Sequence, residues 1–117
     1  MRLFCGIGDK SMVSIDEIQK LADHIAQEFQ PEKVILFGSY AEGRPTEDSD
    51  VDLFIVIPYQ GKSWEAAAAV RGRVRPKFPV DLVVRSPQEL RKRLEMGDIF
   101  FQHILTNGKL LYESHNK

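Results

Sequence analysis

The chain has 117 residues, 43% hydrophobic and 28% charged, a balance that suits one globular domain and excludes an intrinsically disordered polypeptide. Lys and Arg total 16 against 17 Asp and Glu, so the formal net charge is −1 and the chain is no polycation drawn to nucleic acid or anionic lipid by bulk charge. A single cysteine, Cys5, excludes an internal disulfide framework and a multi-cysteine zinc site. No apolar run approaches the roughly 18 residues of a membrane helix. Met1 to Val13 lacks the apolar core of a signal peptide. Leu3-Phe4-Cys5-Gly6 faintly resembles a lipid-attachment site, but the apolar segment that should precede it is missing. The expectation is a cytoplasmic, single-domain protein with residues 1–13 as an extension and a core of about 14–112. Such a domain has little volume left for a deep pocket.

Ser14-Ile15-Asp16-Glu17 has the form of a capping box, with Ser14 at the N-cap and Glu17 at the third helical position. Ile15, Ile18, Leu21, Ala22, Ile25, Ala26 and Phe29 then recur at helical spacing, and Pro31 closes the helix. Lys33 to Phe37 is a short apolar strand ended by Gly38-Ser39. Residues 40–49 are polar and suit a helical turn and a loop. Val51 to Ile57 is a second strand, stopped by Pro58. The alanine run in Trp64 to Arg75 predicts a helix ended by Pro76, and Pro79 to Val84 predicts a third strand. Ser86-Pro87-Gln88-Glu89 starts another helix that runs to about Glu95. Asp98 opens a last helix through Thr106, stopped by Asn107-Gly108, and Lys109 to Tyr112 is a closing strand or tail. The order α-β-(α)-β-α-β-α-α-(β) predicts an α/β or α+β domain with a small helix-covered sheet.

The chemistry concentrates in Phe37 to Leu53. Asp50 and Asp52 stand two apart at the mouth of a strand, so both side chains project from one face. Two carboxylates so close disfavour joint ionisation, and a divalent cation between them removes the conflict. Mg²⁺ is a hard cation commonly held by a few carboxylates and substrate phosphates. Asp81 interrupts the otherwise apolar strand Val80-Asp81-Leu82-Val83-Val84. It is either an edge-strand charge that discourages sheet pairing or a third carboxylate facing the other two. The second case requires its strand to neighbour that of Asp52, with Val80, Leu82 and Val84 packing on the other face. Three carboxylates on adjacent strands could hold two metals roughly 3.5–4 Å apart, as used in in-line phosphoryl displacement. At Gly38-Ser39 a glycine allows close backbone approach to a ligand, and the serine offers an N–H and a hydroxyl to phosphate oxygens.

Gly38-Ser39, nine residues, then Ser49-Asp50-Val51-Asp52-Leu53, with Asp81 on a later strand, resembles the polymerase-β-type nucleotidyltransferase superfamily. The small size is similar to its minimal nucleotidyltransferase branch, the antitoxin partners of HEPN-domain toxins. The resemblance implies a palm-like fold, a small mixed sheet with helices on one face. It implies that Gly38 and Ser39, with Ser49 of the same motif, bind the nucleotide. It further implies that Asp50 and Asp52 bind two Mg²⁺ ions, and that Asp81 completes the metal site beside the attacking hydroxyl. Glu42 stands where many relatives carry Arg. The implied reaction transfers a nucleoside monophosphate, AMP from ATP, to a hydroxyl of a HEPN toxin and releases pyrophosphate. Two alternatives remain open: an antitoxin acting by binding alone, and a transferase for aminoglycoside-like small molecules whose acceptor site forms between subunits of a homodimer.

The remaining features have plainer readings. Arg71, Arg73, Arg75 and Lys77 form one basic cluster, and Arg91, Lys92 and Arg93 another; both suit solvated helix faces, phosphate contacts or an acidic partner. Arg71, Arg73 and Arg75 do not share one helical face. Phe100 and Phe101 cannot both point inward, so one of them is a candidate interface residue. His24 and His103 suit packing or surface positions, His115 lies in a polar tail, and Trp64 suits a core anchor at a helix start.

Overall fold

A computed structural model describes residues 13–46 and 48–114. Cys5 with its lipid-site-like surroundings, Met1, Met12 and His115 lie outside the described residues. Helix α1 (Ile15–Phe29) opens on the expected capping box. The Ser14 Oγ accepts from the Glu17 amide at 3.1 Å, and a Glu17 carboxylate oxygen accepts from the Ser14 amide at 3.0 Å. Ile18, Leu21, Ala22 and Ile25 form its single buried stripe. There follow β1 (Lys33–Phe37), α2 (Ser39–Glu42), β2 (Val51–Val56), α3 (Ser63–Val74), β3 (Val80–Arg85), α4 (Pro87–Glu95), α5 (Ile99–Asn107) and β4 (Lys109–Glu113). The closing segment is thus a strand rather than a tail.

The sheet order is β3-β2-β1-β4. β1 is antiparallel to both β2 and β4, whereas β3 runs parallel to β2. A parallel pair needs a crossover, which α3 supplies. On one sheet face Val34, Leu36, Leu53, Ile55, Leu82 and Val84 pack with the buried stripes of α1 and α3. On the other, Ile35, Phe54 and Val56 pack with Phe101 and Ile104 of α5, and Leu90 and Leu94 of α4 lie against them.

The α/β class therefore holds, but helices cover both faces rather than the one face expected. The reason lies in β1 and β2. Val34-Ile35-Leu36 and Leu53-Phe54-Ile55-Val56 are apolar at consecutive positions, so each strand offers hydrophobic side chains to both sides. Phe101 is 1% exposed and Phe100 is 49% exposed, which divides the adjacent phenylalanines between core and surface as their spacing requires. Trp64 is not the core anchor expected of it: it is 66% exposed, because the buried side of α3 runs through Val70 and Val74 and Trp64 falls beside that stripe.

Phe101 fills the second core, with its ring 5.2 Å from that of Phe54. Phe101→Ala is expected to cost about 3–5 kcal/mol in urea unfolding. Trp64→Ala is expected to stay within about 0.5 kcal/mol of the parent. Equal effects would contradict a two-faced core.

Candidate active site

Because β1 is antiparallel to β2 and β3 is parallel to it, the end of β1 and the beginnings of β2 and β3 meet at one end of the sheet. The register places Phe37 opposite Asp52 and Asp52 opposite Asp81. Side-chain alternation puts Asp52 and Asp81 on the same face as Phe54 and Val83. Asp50 precedes β2 by one residue and shares the parity of Asp52. The condition set on Asp81 is met: its strand neighbours that of Asp52, and Val80, Leu82 and Val84 pack on the opposite face. Its strand is also the sheet edge. Asp50 and Asp81 are exposed and Asp52 is half-buried.

Gly38 shapes the other side of the site. Its φ is +77°, and a Cβ there would collide with Asp52 Oδ2 and lie 3.1 Å from its Cγ. The backbone thus leaves β1 directly against the Asp52 carboxylate, an approach and a conformation that glycine alone permits readily. Ser39 begins α2 at this point, with the free amides of a helix start. Tyr40 and Ala41 anchor α2 in the first core, and the Tyr40 hydroxyl accepts from the Val13 amide at 3.0 Å. Ser49 has a different local task. Its Oγ accepts from the Thr46 amide at 2.8 Å and its amide donates to the Thr46 carbonyl at 3.0 Å. This turn delivers the chain into Asp50.

No ion pair joins Asp50, Asp52 or Asp81 to a cation among the described residues. Burial, and then the charges of Asp81 and Asp50, raise the Asp52 pKa from 3.8 to about 6. Three carboxylates held together without a counter-charge are a donor set suited to a hard divalent cation. Among the described residues, no group of three acidic, imidazole or thiol side chains is placed to hold a metal ion unaided, so there is no preformed cage. Mg²⁺ does not require one, since it takes a few carboxylates and completes its shell with water and phosphate oxygens.

The aromatic wall beside this site is not legible in the sequence. Phe37, the cross-strand partner of Asp52, meets the Phe100 ring edge-on at 5.8 Å. The wall depends on α5 folding back over the sheet. His103 of α5 also approaches Glu42 of α2 at 3.7 Å. The basic cluster after residue 70 disperses, as its spacing requires. Arg73 pairs with Glu28 at 3.0 Å, while Arg71 donates to the Val80 carbonyl at 2.8 Å. In the second cluster Arg93 pairs with Asp98 at 3.0 Å. His24 is a surface residue 3.8 Å from Glu28 and is remote in role from the carboxylates.

The raised Asp52 pKa has a consequence for stability. The folded state holds the Asp52 proton more tightly than the unfolded chain, so ionising Asp52 costs folding energy. That cost is absent below about pH 4 and complete above about pH 6. Asp52→Asn is expected to melt above the parent at pH 7.5, with a difference that shrinks as pH falls through 6. Melting curves of both proteins from pH 4 to 8 check this; a difference that grows on acidification would contradict the burial and repulsion at Asp52.

Residues 19–117 match the polymerase beta nucleotidyltransferase family. A Methanocaldococcus jannaschii protein named as a candidate protein adenylyltransferase is 32% identical over 82 residues, which span 68% of this chain and 77% of that one. A candidate nucleotidyltransferase from Sulfolobus solfataricus has the same fold, with a TM-score of 0.61 at 19% identity over 86% of this chain and 81% of that one. So does a chain of a toxin–antitoxin structure with AMP-PNP, with a TM-score of 0.55 at 24% identity over 83% of this chain and 74% of that one. No described helix is long and apolar enough to cross a membrane. With a match over most of its length and the motif carboxylates on adjoining strands, the chain belongs to the polymerase-β-type nucleotidyltransferase family.

Proposed function

We propose that this chain is a Mg²⁺-dependent protein adenylyltransferase that moves AMP from ATP to a hydroxyl of a partner protein. The partner in this reading is a HEPN-type toxin, and the chain is its cytoplasmic antitoxin, a single domain with its core at about 14–112. The observation that carries the reading is the group of three uncompensated carboxylates, Asp50, Asp52 and Asp81, beside the Gly38 backbone. The name of the Methanocaldococcus relative supports the adenylyl transfer, and the toxin–antitoxin structure with AMP-PNP supports the biological setting.

In this reading the residues divide the work. Gly38 and Ser39 hold the triphosphate: the missing Cβ admits a phosphate close to the backbone, and the serine supplies amide and hydroxyl donors. Ser49 acts by forming the turn that sets Asp50. Asp50 and Asp52 would bind two Mg²⁺ ions, and Asp81 would complete that set from the neighbouring strand. When bound, these ions neutralise charge on the transferring phosphoryl and the pyrophosphate, and lower the pKa of the acceptor hydroxyl. The acceptor oxygen bonds to the α-phosphorus as the bond to pyrophosphate breaks, and the proton of the acceptor hydroxyl passes to water. Asp81 is exposed, so it stands where an acceptor hydroxyl from another chain can reach. An open site of this kind suits a macromolecular acceptor, which brings its own walls.

The test is incubation with α-labelled ATP, Mg²⁺ and the protein encoded next to this chain. Label is expected on that partner. EDTA, Asp50→Ala or Asp52→Ala should each reduce it by roughly 100-fold or more, the scale of losing a principal electrostatic stabiliser. Absence of label on the partner, or label undiminished in both variants, would overturn the reading.

A further inference from the structure

β3 is an edge strand, and its backbone directions can be assigned. The Pro79 carbonyl accepts from the Val51 amide at 3.1 Å, and the Arg85 carbonyl accepts from the Ile57 amide at 3.0 Å. Alternation then turns the amides and carbonyls of Val80, Leu82 and Val84 outward, away from the sheet. Two arginines reach this free edge at its two ends. Arg71 Nη2 of α3 donates to the Val80 carbonyl at 2.8 Å, and Arg85 Nη1 donates to the Val84 carbonyl at 2.8 Å. Beside the edge runs a groove of about 570 Å³ between α3 and β3. Trp64 stands on it, 66% exposed, and Ala67, Ala68 and Gly72 keep it open. No acidic side chain among the described residues lines it.

The simplest role for the arginines is to blunt an edge that would otherwise pair indiscriminately. That role leaves the groove and the exposed tryptophan unexplained. It also specifies what the edge rejects and what it admits. A second copy of this chain, paired edge to edge about a two-fold axis, would bring the Arg71 end of one copy against the Arg85 end of the other, like charge to like. A strand carrying carboxylates suits both ends, because each guanidinium has donors beyond the one given to its carbonyl and can take a carboxylate in paired hydrogen bonds. The Leu82 amide and carbonyl lie between the two arginines, where an added strand would pair.

We propose that the free edge of β3 is the docking edge for an extended, acidic segment of the acceptor protein, held between Arg71 and Arg85 with Trp64 covering its side chains. Naming the occupant as the acceptor rests on the proposed transfer of AMP; the docking itself does not. The two are linked by Asp81, which lies on this strand. A residue of the added strand opposite Asp81 would have its Cβ within about 4.5–5.5 Å of the Asp81 Cβ. The edge would thereby select which hydroxyl meets the carboxylates.

Trp64 is the single tryptophan of the chain, so its emission reports the groove. The full chain, without nucleotide or metal, is titrated with the peptide acetyl-Glu-Val-Thr-Val-Thr-Glu-amide. Two control peptides carry Lys for both Glu, or Pro at the central Val. The acidic peptide is expected to give a saturable change, with affinity at least about tenfold above both controls, the scale of one charge-assisted pair. Arg71→Glu should abolish that preference, and Arg73→Glu, whose partner is Glu28, should leave it unchanged. Melting curves establish that both variants are folded. An acidic peptide that binds no better than its Lys or Pro counterpart would overturn the proposal, as would tighter binding of oligothymidylate at Trp64. With nucleotide omitted, a failed titration leaves the AMP-transfer reading intact, and a failed transfer leaves a successful titration standing.

Discussion

The site depends on a carboxylate kept where it is electrostatically uncomfortable. Asp52 is half-buried, has the Gly38 backbone against one oxygen, and feels the charges of Asp81 and Asp50. Left in water, the three groups would separate and ionise independently. The fold prevents this by fixing Asp52 and Asp81 in register on parallel strands. In the proposed function, a divalent cation entering the site would recover the energy of that arrangement, because a ligand that binds only the folded state stabilises it. A family built around phosphoryl transfer needs such a site: weakly satisfied alone, and satisfied by metal and polyphosphate together.

The rest of the structure holds this strain in place. Two cores grip the sheet from both sides, and the strand that carries Asp52 also contributes Leu53, Phe54, Ile55 and Val56 to them. A shift of β2 by one residue would move every one of these side chains to the wrong face. The carboxylate at the beginning of β2 is therefore positioned by apolar packing further along the same strand. α5 has a part in both tasks. Phe101 closes the second core, and its neighbour Phe100 extends along Phe37 to wall the acidic end of the sheet.

Much of this is legible in the sequence where the cause is local. Ser14 and Glu17, Pro31, Ser86-Pro87 and Asp98 act on their nearest neighbours, and the elements they bound lie within a residue of where they are expected. The shared face of Asp52 and Asp81 follows from strand parity, given that the strands are adjacent and in the register that sets Asp52 opposite Asp81. What is not legible depends on how distant parts meet. The second helical layer is implied by the unbroken apolar runs of β1 and β2, yet α4 carries no buried residue that marks it as a cover. Trp64 looks like an anchor until α3 is rotated onto the sheet and Val70 and Val74 take the inner side. The hydroxyl of Ser49 is drawn into a turn by Thr46, which the motif alone does not show. The edge position of β3, with arginines on its outward carbonyls, appears only once the sheet order is known.

If Asp50, Asp52 and Asp81 form one cation site beside Gly38, a bound metal must lie against all of them at once. Paramagnetic broadening of backbone amide signals by Mn²⁺, added in substoichiometric amounts with a non-hydrolysable ATP analogue, tests it most directly. Signals of Gly38, Asp50, Asp52 and Asp81 are expected to disappear first, and Asp52→Asn is expected to restore them. Broadening centred elsewhere on the molecule, or unchanged in that variant, would contradict it.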